Sequence, residues 1–304
     1  MTLPRLRHAG KFEAVHFRGR NAVSASRYRP EATTEMRMTG EARQRDSRSC
    51  DDGMFAIELL RSAGLDPAGY RMAPLIRRLP ACLRALRVPS VATARELLAK
   101  EPRKREIALH ALLIGTTSFF RDAAVFQCLG EWVVQELLAR QPRPRVWSAA
   151  CSDGVELYSV AMLLAEHGAL GPEQLLGSDC RAQSITVAQR GIYPVDTAAT
   201  VPAGLAARYL IGGKSSVAVA PAIHSAARWE CRDLLREDES GPWDMILCRN
   251  LAIYLEAGAV EWLWNRLTAA LAPDGLLVVG KAEKPRVDGL KQIGPCIYRK
   301  APEK

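Results

Sequence analysis

The chain has 304 residues, 48% of them hydrophobic and 25% charged, with a formal net charge of +9. That length and apolar content can bury one large core plus a smaller unit, and no run approaches the ~18 uninterrupted apolar residues of a membrane span. The eight cysteines are scattered, with no CxxC pair and no histidine at ligand spacing, which argues against a zinc site or a disulfide framework and fits free thiols in a reducing, cytoplasmic compartment.

The first fifty residues carry eleven basic against five acidic side chains, so +6 of the +9 sits there and the other 254 residues hold only +3. This Arg-, Ser-, Thr- and Gly-rich stretch has little apolar periodicity and no signal-peptide core, and it reads as a disordered basic extension over 1–53. Charge confined in this way argues against specific nucleic-acid binding. Ordered structure is expected from Met54, with a helix over Met54–Leu65, a turn at Asp66–Gly69, and a basic helix over Arg71–Leu86 kinked at Pro80. Helical spacing returns over Ala92–Lys100 and Glu106–Ile114, separated by Glu101-Pro102. The result is a small all-helical unit over 54–114, with Arg71, Arg77, Arg78, Arg84 and Arg87 making one face positive.

From Thr116 the texture changes. Thr116-Thr117-Ser118-Phe119-Phe120-Arg121-Asp122 sets hydroxyls, aromatic rings and a charge pair ahead of an apolar helix through Phe126, Leu129, Trp132, Val133 and Leu137. In RVWSAACSDGVELYSVAMLLAE, over Arg145–Glu166, a strand runs through small residues from Ser148 to Gly154 into a helix. Such a turn lets backbone N–H groups approach a ligand at a helix N-terminus. About one βαβ unit later, Leu175-Leu176-Gly177-Ser178-Asp179 ends a second strand on a carboxylate, the residue type that grips ribose hydroxyls in nucleotide-binding α/β folds. A capping Asp on an ordinary βαβ unit would give the same pattern. Further strands are expected at Arg228–Cys231, Met245–Cys248, Leu276–Gly280 and Gln292–Arg299, and a helix at Trp262–Leu271.

TTSFFRDAAVF, RVWSAACSDGVELYSVAML, LLGSDCRAQSITVAQRGIY, WDMILCRNLAIYL and LAPDGLLVVGKAE occur in the order and approximate spacing of the CheR family, and GLDPAGYRMAPLIRRL adds to the match in the helical unit. Over about residues 55–300 the chain resembles these chemotaxis-receptor methyltransferases, which transfer a methyl group from S-adenosylmethionine (SAM) to receptor glutamates and release S-adenosylhomocysteine (SAH). The resemblance implies an α/β fold: a Rossmann-like class I SAM-dependent methyltransferase domain over 115–304 after an all-α unit over 54–114, with the last strand antiparallel. It implies a monomer without membrane insertion, acting on an acidic protein, the cytoplasmic helices of chemoreceptors. It also implies cofactor contacts at Thr117, Arg121, Glu156, Asp179, Asp233, Leu234, Arg249 and Asn250, with Arg121 meeting the methionine carboxylate and Asp179 the ribose. Arg121 and Tyr254 are the implied catalytic residues, with no metal.

The chain departs from the family at Gly115, where Asn is usual, and at Val155 and Leu157 in the acidic motif. It departs again at Lys281 near the pocket rim, and at Ala81 and Cys82 in the basic helix. Between Arg208 and Asp233, where the family has a small β-subdomain that can dock a receptor C-terminal peptide, strand alternation is weak. A catalytically silent SAM- or SAH-binding scaffold or sensor of the same fold is the alternative reading.

Overall fold

The computed structural model describes residues 40–113, 117–237, 239 and 241–302, with side chains from residue 50 onward. Most of the 1–53 extension, and Gly115 with it, lies outside the described residues. The first helix, α1 (Gly40–Ser62), starts fourteen residues before Met54, so the expected boundary is early structure rather than coil. From Phe55 its inner face is set by Phe55, Ala56, Leu59 and Leu60, all buried at helical spacing.

The helices α2 (Met72–Ile76), α3 (Leu79–Leu86), α4 (Val91–Lys100) and α5 (Arg105–Leu113) follow. The basic helix is two pieces, and Pro80 is not the break. Pro80 sits in the first turn of α3, where its missing N–H has no helical partner to lose, and the chain breaks at Arg77-Arg78. Cys82, one of the departures, is buried and donates its thiol to the Ala108 carbonyl at 3.3 Å. Burial pushes that thiol up to about 12, so this position faces the core and not a partner.

The remaining elements are α6 (Ala123–Cys128), a π-turn at Leu129–Val133, α7 (Val134–Arg140), β1 (Val146–Ala149), α8 (Val155–Glu166), β2 (Leu175–Asp179), α9 (Ala182–Arg190), β3 (Ile192–Pro194) and α10 (Ala203–Tyr209). After these come β4 (Leu210–Gly212), β5 (Ser216–Val219), α11 (Pro221–His224), β6 (Ala227–Cys231), β7 (Trp243–Cys248), α12 (Ala257–Ala270), β8 (Leu271–Val279), β9 (Leu290–Gly294) and β10 (Ile297–Lys300). Seven strands form one sheet in the order β6-β2-β1-β7-β8-β10-β9, parallel from β6 to β8. Strand β10 runs antiparallel to both β8 and β9. The final strand expected over Gln292–Arg299 is therefore a hairpin, turned at Cys296 in the left-handed region (φ 62°).

The central strands are buried on both faces, as parallel strands covered by helices must be. Trp147, Ala149, Ile246, Cys248, Leu277 and Val279 pack in one cluster with the helical unit and α12. Val146, Met245, Leu247, Leu276 and Val278 pack in the other with α6 to α8. A second, antiparallel sheet, β3-β5-β4, takes two of its three strands, β4 and β5, from the segment where strand alternation is weak. Strands of three or four residues are too short to show a period in sequence, and that expectation is corrected here. No helix among the described residues is long and apolar enough to cross a membrane.

Candidate active site

The parallel strands β1, β2 and β7 end side by side, and the loops after them, Ala150–Ser152, Cys180–Arg181 and Arg249–Leu251, wall one cavity. Thr117, Ser118 and Arg121 line it as well, together with Tyr70 of the helical unit. Thr117, Arg121, Glu156, Asp179, Asp233, Leu234, Arg249, Asn250 and Tyr254 all line it. Non-glycine residues with left-handed backbone gather at its edge: Phe120, Asp122, Ala150, Ser152 and Asn250 have φ between 50° and 63°. Such conformations cost energy and persist where surrounding contacts dictate them.

Those contacts are specific. The loop carrying Arg121 is held because Phe120 N–H donates to the Ser159 hydroxyl on α8 at 3.0 Å. Arg249, with 2% of its side chain exposed, reaches across the same loop. It donates to Glu156 Oε2 at 2.9 Å, to Asp122 Oδ2 at 2.6 Å and to the Arg121 carbonyl at 3.0 Å. Glu156 is completed by the Ser148 hydroxyl, which donates to Oε1 at 3.0 Å. Arg249 and Glu156 thus pair in the cavity wall and position the loop, although the buried Arg249 Nε has no hydrogen-bond partner among the described residues. Lys281, the extra cation at the rim, is neutralised by Asp122 Oδ1 at 3.1 Å.

On the far side Glu283 does comparable work without having stood out in the sequence. It accepts from the backbone N–H groups of Gly280, Asn250 and Ala252 at 2.7 to 2.9 Å, fixing the turn that presents Asn250 and Tyr254. Burial pushes its carboxyl upward, and those three donors oppose the shift. The helical unit helps to hold Tyr254. Arg71 N–H donates to the Tyr254 carbonyl at 2.8 Å and Glu256 N–H to the Gly69 carbonyl at 2.9 Å.

Not every small residue serves a ligand. A Cβ at Gly154 would lie 2.6 Å from Trp229, and one at Gly177 2.2 Å from it, so these glycines make room for an indole packed beside β2. Val155 and Leu157, where the family pattern has acid and proline, are fully buried in the core behind the cavity. Arg121 is the open charge: its guanidinium has no hydrogen-bond partner among the described residues. Asp179 contrasts with it, because Arg181 forks onto both carboxylate oxygens at 2.8 and 2.9 Å. Arg181, too, was not singled out from the sequence; its only signal is a guanidinium two residues after a strand-end acid.

The family profile described as "CheR methyltransferase, SAM binding domain" matches residues 115–293. The chain belongs to the CheR methyltransferase family. Chemotaxis protein methyltransferase 2 of Pseudomonas aeruginosa is 32% identical over 80% of this chain and 90% of its own length. Chemotaxis protein methyltransferase of Salmonella typhimurium is 30% identical over 74% and 80%, and chemotaxis protein methyltransferase 1 of Pseudomonas aeruginosa 34% over 59% and 69%. The cofactor of this CheR-family domain is SAM. The cavity fits such a molecule in kind: a free guanidinium suits an amino-acid carboxylate, and Tyr70 and Leu234 supply apolar wall for a base. Burial raises the Tyr70 phenol well above its usual value, which keeps it a neutral surface.

Proposed function

We propose that this CheR-family enzyme methylates glutamate carboxylates of chemoreceptor cytoplasmic helices, forming methyl esters in the cytoplasm. The observation that carries this reading is the convergence of Thr117, Arg121, Asn250 and Tyr254 on one cavity at the carboxyl ends of β1, β2 and β7. SAM supplies a methyl group activated by its sulfonium. Thr117 and Arg121 hold the methionine end, Asp233 and Leu234 border the base, and Asp179 is the acid nearest the ribose. Glu156 and Arg249 act through the loop they clamp.

A glutamate side chain is ionised at neutral pH, with a reference pKa of about 4.3, so it attacks without a strong general base. What the chain must supply is alignment and exclusion of water. Asn250 and the Tyr254 hydroxyl orient the incoming carboxylate, and neither has to exchange a proton with it. The exposed side chains of Arg71, Arg77, Arg84 and Arg87 give the helical unit a positive face for an acidic helix.

Transfer of radiolabelled methyl from SAM to purified receptor cytoplasmic fragments tests the reading. Label that is released by mild base and maps to glutamate is the expected result. Tight SAH binding with no label on any receptor fragment would instead favour the silent scaffold.

A further inference from the structure

Arg181 follows Asp179 by two residues and folds back onto it. Its Nε donates to Asp179 Oδ1 at 2.8 Å and its Nη2 to Oδ2 at 2.9 Å. The backbone N–H of Arg181 adds a bond to Oδ1 at 3.0 Å, and that of Ser152 a bond to Oδ2 at 2.9 Å. A carboxylate offers about four lone-pair positions to donors. Here each oxygen already has two.

Both side chains sit in the cavity wall, Asp179 3% and Arg181 7% exposed. A ribose diol that uses Asp179 must therefore compete with a guanidinium held in place by the protein. That competitor is not fully satisfied, because the buried Arg181 Nη1 has no hydrogen-bond partner among the described residues. An idle buried donor lowers the net worth of the fork, which leaves it open to displacement. Without the fork, Asp179 would keep its two backbone donors and present two free lone-pair positions.

We propose that Arg181 is an internal competitor for the cofactor's ribose, holding Asp179 and so setting the affinity of the cavity for SAM and SAH. The inference rests on the reading of Asp179 as the ribose acid. Because SAM and SAH carry the same ribose, the competitor loosens both alike. Arg181 is thus an affinity-setting residue at the nucleoside end and takes no part in the methyl transfer itself.

Calorimetric titration of the full chain with SAH tests this, comparing wild type, Arg181→Met and Arg181→Lys, each first shown to be folded by thermal melting. Methionine keeps most of the apolar stem and removes the fork; lysine leaves one charged donor. Arg181→Met is expected to bind SAH about tenfold more tightly, the scale of one hydrogen bond to a charged group, with Arg181→Lys in between. The same titration with 2′-deoxy and 3′-deoxy SAH should show a small penalty in wild type and a larger one in Arg181→Met. If Arg181→Met does not fold, the Arg181→Lys comparison carries the test. Unchanged or weaker SAH binding in a folded variant overturns the competitor while leaving the cofactor site intact. Absence of SAH binding in wild type and variants alike overturns the assignment of the cavity together with the inference.

Discussion

At one end of the cavity the Arg121 guanidinium has no hydrogen-bond partner among the described residues, whereas at the other the Asp179 carboxylate has four donors. Both groups are charged, both line the same crevice, and both fall on motif positions. They differ in what the surrounding chain has done with them. The loop that carries Arg121 is clamped through its backbone, which leaves the side chain for a ligand. Asp179 is clamped through its side chain. Identity at a motif position thus fixes which chemical group is present, and the neighbours decide whether it is available.

The contrast depends first on the clamp. Arg249→Ala removes the only cation that this structure shows bridging Glu156 and Asp122, leaving two half-buried carboxylates with reduced compensation. Breaking such a pair typically costs about 3–5 kcal/mol. Denaturant titration should show a stability loss of that order, and SAH binding should fall with it. An unchanged midpoint would mean that the loop is held by something else.

Arg121→Ala probes the open end alone. A charge-assisted hydrogen bond to a carboxylate contributes about 1.5–3 kcal/mol, so SAH should bind roughly ten- to a hundredfold more weakly while the melting temperature stays put. 5′-Methylthioadenosine, which lacks the amino-acid carboxylate, should bind the variant as well as it binds wild type. Equal losses for both ligands would contradict a role at the methionine end.

The smallest effect is expected at Asp233, in the cavity wall. Burial pushes its carboxyl upward, and the Leu235 N–H, which donates to it at 3.0 Å, works against the shift. A carboxyl whose folded pKa is raised holds its proton more tightly in the folded chain, so its contribution to stability declines as pH rises from the unfolded value through the folded one. Asp233→Asn should therefore be more stable than wild type at neutral pH, by less than about 1 kcal/mol. That advantage should vanish in acid. Thermal melts across pH would show it, and a variant less stable at neutral pH would contradict it.

How much of this was legible in the sequence varies with the length of the signal. The largely apolar runs of β1, β2 and β7, and the strand-turn-helix at Ser148–Gly154, could be read because a buried parallel strand and an N-terminal helix turn leave continuous patterns. The strands of the second sheet could not, since three or four residues carry no measurable period. The Gln292–Arg299 run holds a hairpin whose turn is marked by Gly294-Pro295, a signal that reading the run as one strand passes over. Among site residues, Asn250 and Tyr254 were picked out by their match to a family motif, whereas Arg121 stood out beside two aromatic rings. Arg181 and Glu283 did not, because their importance lies in which backbone and side-chain atoms they reach, and that is decided by tertiary packing.

The central claim is that a SAM-derived nucleoside lies across the carboxyl ends of β1, β2 and β7 with its amino-acid end at Arg121. A crystal structure of the protein with SAH measures this most directly. The account predicts the homocysteine carboxylate on the Arg121 guanidinium, the ribose beside Asp179 and the base against Tyr70 and Leu234. Ligand bound elsewhere, or in the reverse orientation with its carboxylate near Asp233, would contradict it.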